Sequence, residues 1–156
     1  MRAASCLVLV AVVLGWPEIG VCRDMALISN KSNPVQTVTM EELVKVGKGQ
    51  LDRWPDGTPV SCVIRDVSSP PMKVVLEKVY QVSADAAEAA IRNANHGRKD
   101  HPAILIVDSD ADVVSKVEST PGAIGMVDVY SITGGVTVLR VNGKLPLEPG
   151  YPLHGN

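Results

Sequence analysis

Short apolar runs alternate with longer amphipathic stretches along most of this chain. Apolar runs of about four to eight residues, rich in β-branched side chains and bounded by turn residues, are typical of strands. Five segments follow this pattern and predict strands, at residues 25–29, 59–64, 103–107, 121–129 and 134–145. Asn142 and Gly143 predict the turn that ends the last strand.

Four amphipathic segments predict helices between these strands. The first begins at Thr39, which precedes Glu42 at the spacing of a capping box, and Gly47 or Gly49 suits its end. Ser83 is placed to cap the third helix, and Asp108 or Ser109 the fourth. The last three helices are predicted at residues 72–80, 84–95 and 110–118.

The resulting order of elements is β-α-β-α-α-β-α-β-β. Strands that alternate with helices favour a three-layer α/β domain with a mainly parallel sheet. In such sheets, ligands bind beyond the carboxyl ends of the strands, beside helix N-termini. The junction after the second strand is therefore a candidate binding site.

The first 22 residues are predicted to be a signal peptide. Arg2 precedes an apolar run at residues 3–15, which has the length of a signal core and is too short to span a bilayer comfortably. Cleavage after Cys22 leaves a mature domain at residues 23–156. Lipidation of Cys22 fits less well, because Val21 stands where Gly or Ala is wanted, and a retained membrane anchor fits least.

Composition narrows the partners and the compartment. Cys62 is the only cysteine left after cleavage, so an internal disulfide is excluded and a bacterial periplasmic or secreted location is favoured. The formal net charge of −2 gives no reason to expect a nucleic-acid partner. Aromatic residues make up 3% of the chain, which leaves few platforms on which bases could stack.

No metal site is predicted. Asp108, Asp110 and Asp112 have the first spacings of an EF-hand loop, but Val113 and Ser119 stand where Gly and Glu are diagnostic. Acidic residues at a helix N-terminus are the simpler interpretation. The histidines and Cys62 do not form a zinc set at recognised spacing; they are His96, His101 and His154.

No catalytic motif is present either, so we expect neither an enzyme nor a cofactor. The sequence contains no G-x-S-x-G elbow and no P-loop. Cys62 lies among apolar neighbours, which indicates an inert core thiol.

The stretch IRDVSSPP (64–71) carries the best candidate for ligand binding. Arg65 supplies a forked cation, and Ser68 and Ser69 supply hydroxyl donors at the start of a helix, which together suit an oxyanion. A simpler interpretation is that Ser69 is an N-cap, Pro70 is the first helical residue and Arg65 is a solvated surface charge.

Three blocks of the sequence together resemble the substrate-binding proteins of phosphate ABC transporters. SNPVQTVTMEELVKVGKGQLDRWPDGTPV is similar to that family's NP…LT..EL..IF.GK...W.DG..I. DSDADVVSKVESTPGAIGMVDV is similar to …V...PGAIGYV, with Met126 where Tyr is usual, and VTVLRVNGKLPLEPGYPL is similar to VK.L.I.G..P....YPL. The resemblance covers about residues 26–153; the matches in the first block are Asn33-Pro34, Glu42-Leu43, Gly47, Trp54 and Asp56-Gly57.

This resemblance implies a three-layer αβα lobe of the type II periplasmic-binding-protein-like fold. Full members of the family have two such lobes that close on the ligand, and this chain has room for one. We therefore expect weak binding of phosphate or another small oxyanion, linked to ABC-type phosphate transport. The alternative is a single-lobe module that has lost its ligand and meets an envelope protein or a second copy of itself.

The loop of this family that holds phosphate reads R…SGT in front of a helix. Arg65 and Ser69 match its Arg and Ser, whereas Pro70 and Pro71 replace its Gly and Thr. Proline has no backbone N–H and no hydroxyl, and a helix N-terminus binds anions through its free amides. The two prolines are therefore expected to weaken the site.

Overall fold

The computed structural model describes residues 23–155, so the predicted signal peptide lies outside the described residues. The strands are β1 (Met25–Asn30), β2 (Thr37–Val38), β3 (Ser61–Arg65), β4 (Ile104–Val107), β5 (Ala123–Asp128), β6 (Val136–Val138) and β7 (Arg140–Val141). The α-helices are α1 (Met40–Gly47), α2 (Lys73–Val75), α3 (Ala84–Asn95) and α4 (Asp110–Ser119).

The order of elements agrees with the sequence prediction, with three local differences. The short strand β2, before α1, was not predicted. The predicted helix at residues 72–80 is a composite, in which a 3₁₀ turn (Pro70–Met72) leads into α2 and α2 leads into a π turn (Leu76–Tyr80). The predicted last strand divides into β6 and β7 around Leu139, which is buried.

Five strands form one sheet in the order β4-β3-β5-β1-β6. β3 is parallel to β4 and β5, whereas β1 is antiparallel to its neighbours β5 and β6. Four of the five strands therefore share a direction, and the prediction of a mainly parallel sheet is confirmed. β2 and β7 pair separately as a two-stranded parallel sheet.

Side chains that alternate along the strands divide the core into two layers. On β1, Leu27 packs with the cluster that contains α1, the composite helix and α3, whereas Ala26 packs with α4 on the opposite face. Gly125 on β5 lets α4 approach the sheet, because an added Cβ would lie 2.6 Å from Val113 Cγ1. The predicted three-layer αβα architecture is confirmed.

Local hydrogen bonds hold the helix starts where the sequence predicts them. Thr39 and Glu42 form the capping box of α1. Ser83 accepts from the N–H of Ala86 at the start of α3, and Ser109 accepts from that of Asp112 at the start of α4. Among residues 23–155, no helix combines the length and apolar character that a membrane crossing requires.

One edge of the sheet collects the candidate residues. Because β3, β4 and β5 are parallel, their carboxyl ends meet at one edge, and the antiparallel β1 begins there. We call this the carboxyl edge, marked by Arg65 on β3, Asp108 after β4, Asp128 on β5 and Asp24 before β1.

Candidate functional site

Arg65, the last residue of β3, lies in a partly buried ion pair. Its Nη1 is 3.6 Å from Oδ1 of Asp110, the first residue of α4, and the two side chains are 24% and 14% exposed. The interpretation of Arg65 as a solvated surface charge is therefore wrong. Arg65 Nε and Asp110 Oδ1 are buried, and neither has a hydrogen-bond partner among the described residues, so the guanidinium retains a donor that nothing uses.

The Arg65–Asp110 pair belongs to a row of charges across the carboxyl edge. The N–H of Asp128 donates to Asp110 Oδ2 at 3.3 Å, and Arg23 Nη1 donates to Asp128 Oδ2 at 3.0 Å. From β3 to the start of β1, the row therefore places two carboxylates, Asp110 and Asp128, between two guanidinium groups. An anion that binds Arg65 must compete with the nearby carboxylates, chiefly that of Asp110.

The two candidate serines are bonded within their own loop. The N–H and Oγ of Ser68 both donate to Oδ1 of Asp66, at 2.8 and 2.7 Å. The N–H and Oγ of Ser69 both donate to the backbone carbonyl of Asp66, at 3.0 and 2.6 Å. Ser69 stands at the N-cap position, but its side chain makes no capping bond. The hydrogen bonds from Ser68 lower the pKa of Asp66 below its ordinary value.

Sequence reasoning missed Asp66, although a signal was present. Asp side chains commonly accept hydrogen bonds from the residue two positions on, in an Asx turn. Asp66 and Ser68 have this spacing, directly after a strand. The loop therefore contains an anion of its own, beside the cation and the hydroxyl groups that the sequence predicts as ligands.

Backbone amides at this helix start offer little to a ligand. The N–H groups of Ser68 and Ser69 are bonded to Asp66, and that of Met72 donates to the carbonyl of Ser69. The N–H of Lys73 donates to the carbonyl of Pro70. Pro70 and Pro71 themselves have no backbone N–H. From residue 68 to residue 73, every amide is engaged or missing.

The three aspartates considered as metal ligands serve separate partners. Asp110 pairs with Arg65, Asp112 accepts from the Ser109 hydroxyl at 2.7 Å, and Asp108 is exposed. Within residues 23–155, no group of three or more His, Cys, Asp or Glu side chains is placed to hold a metal ion.

Cys62 and the histidines are also apart from one another. Cys62 is buried in β3, and burial raises the pKa of its thiol to about 12, so the thiolate is scarce at neutral pH. His101 is exposed near Ser61, with 3.5 Å between Nε2 and Oγ. His154 Nδ1 lies 2.5 Å from Oδ1 of Asp24.

A second feature of the carboxyl edge is apolar and exposed. Tyr130 follows β5 and is 71% exposed, and Leu147 in the C-terminal segment is 62% exposed. Asp24 links them, because its carbonyl accepts from the N–H of Val129 at 3.1 Å and its Oδ2 from that of Leu147 at 2.6 Å. Two large apolar side chains thus lie beside the charged row.

Solved structures of phosphate-binding proteins share this fold. An ABC-type phosphate transport receptor from Vibrio cholerae matches with a TM-score of 0.69 and 20% identity, over 86% of this chain and 54% of that one. PstS from Borrelia burgdorferi matches with a TM-score of 0.63 and 23% identity, over 86% and 56%. A putative phosphate ABC transporter substrate-binding protein with bound phosphate from Clostridium perfringens matches with a TM-score of 0.60 and 19% identity, over 78% and 46%.

The chain spans about half the length of the solved structures it matches. Its fold is that of a periplasmic-binding-protein-like lobe, as the sequence resemblance predicts. At these identities the likeness concerns the fold alone. No family model and no curated protein matches the sequence.

Proposed function

We propose that this chain, which has the fold of one lobe of the phosphate ABC transporter substrate-binding proteins, is an exported solute-binding domain for a small oxyanion of the phosphate class. The proposed ligand-binding residues are Arg65, Ser68 and Ser69, and the proposed context is phosphate transport. The solved structures that share this fold are those of a transport receptor and of substrate-binding proteins, which supports a binding role over a catalytic one. We also propose that residues 1–22 direct export to the periplasm and are then removed.

The observation that carries this proposal is the position of Arg65. It ends β3 at the carboxyl edge, where ligands of α/β sheets bind. Its Nε–H is buried without a partner, and an unused donor on a forked cation suits an oxyanion. Because the neighbouring amides and hydroxyls are engaged, we propose weak binding.

Isothermal titration calorimetry, with inorganic phosphate titrated into the purified protein, tests this proposal. We expect binding in the millimolar range, and loss of at least tenfold in affinity on Arg65→Gln, since a hydrogen bond to a charged group contributes about 1.5–3 kcal/mol. Arg53→Gln is the matched control, because Arg53 is exposed in the loop before β3, and its Nη1 donates to the carbonyl of Gly57.

Two results would contradict oxyanion binding. One is the absence of heat with phosphate, sulfate and carboxylates at millimolar concentrations. The other is equal loss of affinity in Arg65→Gln and Arg53→Gln, which would indicate general charge attraction in place of a site.

A second candidate function is protein interaction at the same edge. The exposed Tyr130 and Leu147 favour it. Leu147 and the residue before Tyr130 both bond to Asp24 at this edge, and exposed apolar surface collected in one region marks a contact surface. The partner is an envelope protein or a second copy of the chain. Sedimentation of the purified protein, with Tyr130→Ser and Leu147→Ser as variants, separates self-association from a monomer that needs a different partner.

A further inference from the structure

We propose that Asp66 is a built-in competitor for the oxyanion site, which sets the affinity of the loop by occupying the donors of Ser68. This inference rests on the proposed function, because it concerns the same loop. The carboxylate acts in two ways, as an acceptor that holds two donors and as a negative charge at the mouth of the site.

The first effect follows from the hydrogen bonds of Ser68. Its N–H and its hydroxyl both point to Asp66 Oδ1, at 2.8 and 2.7 Å. A hydroxyl has a single hydrogen to donate, so Ser68 Oγ cannot donate to a ligand while it donates to Asp66. Bonds to a carboxylate are also stronger than bonds between neutral groups, and a ligand gains from Ser68 only after breaking one.

The second effect follows from distance. A ligand bonded to Ser68 would lie within about two hydrogen-bond lengths, roughly 6 Å, of the Asp66 carboxylate. Asp66 is exposed and has no ion-pair partner among the described residues. Its charge is therefore not neutralised by a fixed cation, and it repels an anion at a separation where screening by salt is incomplete.

The N–H and hydroxyl of Ser69 are engaged by a different acceptor from those of Ser68. They are held by the backbone carbonyl of Asp66 and not by its carboxylate. Substitution of the Asp66 side chain leaves that acceptor in place. The proposal therefore predicts release of Ser68 alone, which makes it specific enough to test by double substitution.

Two substitutions of Asp66 separate the effect of its negative charge from the effect of its hydrogen bonds to Ser68. In Asp66→Asn the amide oxygen can still accept from Ser68 while the charge is gone, and we expect about a tenfold gain in phosphate affinity. In Asp66→Ala the two donors are also free, and we expect a further gain of about tenfold. Asp56→Asn and Asp56→Ala are matched controls, because Asp56 is an exposed turn carboxylate that accepts from the Thr58 N–H at 2.9 Å, before β3.

A double-substitution cycle with Ser68→Ala distinguishes this role from a general change in the loop. With Asp66 present, Ser68→Ala should lower phosphate affinity only about threefold, since the Ser68 hydroxyl must leave Asp66 before it can donate to the ligand. In the Asp66→Ala background, the same substitution should lower affinity about tenfold. A coupling of this kind is the signature of two residues that act on one interaction.

Calorimetric titration with inorganic phosphate measures all of these variants. Phosphate binding that depends on Arg65 but is unchanged in both Asp66 variants would overturn the inference and leave the proposed function intact. Binding by Asp66→Ala that is at least tenfold tighter than binding by the unsubstituted protein would support the inference. Absence of binding in every variant would overturn the proposed function and this inference together.

Discussion

Two buried tyrosines in this protein have opposite hydrogen-bonding situations. Tyr151 donates its hydroxyl to the backbone carbonyl of Met25 at 2.8 Å. The Tyr80 hydroxyl is buried without a partner among the described residues. Burial raises the pKa of both side chains, so both are neutral phenols at physiological pH. The pair allows the energy of a satisfied and an unsatisfied buried hydroxyl to be compared in one fold.

We predict that Tyr80→Phe stabilises the protein by about 1 kcal/mol, because it removes an unpaired polar group from the core. Tyr151→Phe should destabilise it by about 1–2 kcal/mol, because the Met25 carbonyl loses its donor. Urea unfolding of the two variants measures both changes. Equal destabilisation by both substitutions would show that the Tyr80 hydroxyl has a partner in solution.

Among the elements, the composite helix at residues 70–80 shows how two prolines shape the candidate loop. Ser69 is extended, with φ −72° and ψ 144°. A residue that precedes a proline favours this conformation, because the proline ring disfavours the helical one. Pro70 then takes the first helical position, where proline is favoured. The helix begins as a 3₁₀ turn and ends as a π turn, so it presents only a short helical N-terminus to the carboxyl edge.

We predict that Pro70→Gly combined with Pro71→Thr increases phosphate affinity about tenfold, because two amides and one hydroxyl are added at the helix start. The same change should lower stability by about 1 kcal/mol, since glycine loses more conformational freedom on folding. Calorimetry and urea unfolding give the two values, and Pro55→Gly, in an exposed turn, is the control. Unchanged affinity would mean that the donors at this helix start do not limit binding.

One outermost strand of the five-stranded sheet, β4, is protected along its free side. Its sequence is apolar, and among the described strands it pairs with β3 alone, which would leave an open edge. The Asn95 side chain at the end of α3 donates to the carbonyl of Ile104 at 2.7 Å and accepts from its N–H at 3.0 Å. A side-chain amide thus takes the place of a neighbouring strand at that residue.

For the whole molecule, the notable feature is that the two ends of the described chain meet at the carboxyl edge. Asp24, before β1, has a side chain only 3% exposed, and it pairs with His154 and accepts from the Leu147 N–H. The N–H of Met25 donates to the carbonyl of Leu153 at 3.0 Å. These bonds attach the irregular C-terminal segment to the first strand, beside the candidate site.

We predict that Asp24→Ala lowers the free energy of unfolding by about 2 kcal/mol, because it leaves the Leu147 N–H and the His154 ring without their partner. Arg23→Gln, which breaks only the surface pair with Asp128, should cost less than about 1 kcal/mol. Urea unfolding compares the two. A loss in Asp24→Ala no larger than in Arg23→Gln would show that the chain ends contribute little to stability.

The sequence by itself determined the elements and the class of fold. Short apolar runs, apolar positions at helical spacing and the caps at Thr39, Ser83 and Ser109 each involve only a few neighbouring residues, so they can be recognised without a structure. The α/β order then limits the topology to a mainly parallel sheet with helices on both faces. The hydrogen bonds from Ser68 to Asp66 were also predictable from the sequence, because the two residues are only two positions apart.

Tertiary structure alone decided which charges meet. Arg65 pairs with Asp110 because β3 and β4 are adjacent and α4 begins at the carboxyl end of β4. Asp24 meets His154 because β1 runs antiparallel to β5 and the last segment returns to its start. Such contacts depend on the order and direction of the strands, which the spacing of apolar residues along the chain does not reveal. The tertiary structure therefore decided that the guanidinium of the predicted oxyanion loop is paired, whereas the serine donors are engaged by a neighbour in sequence.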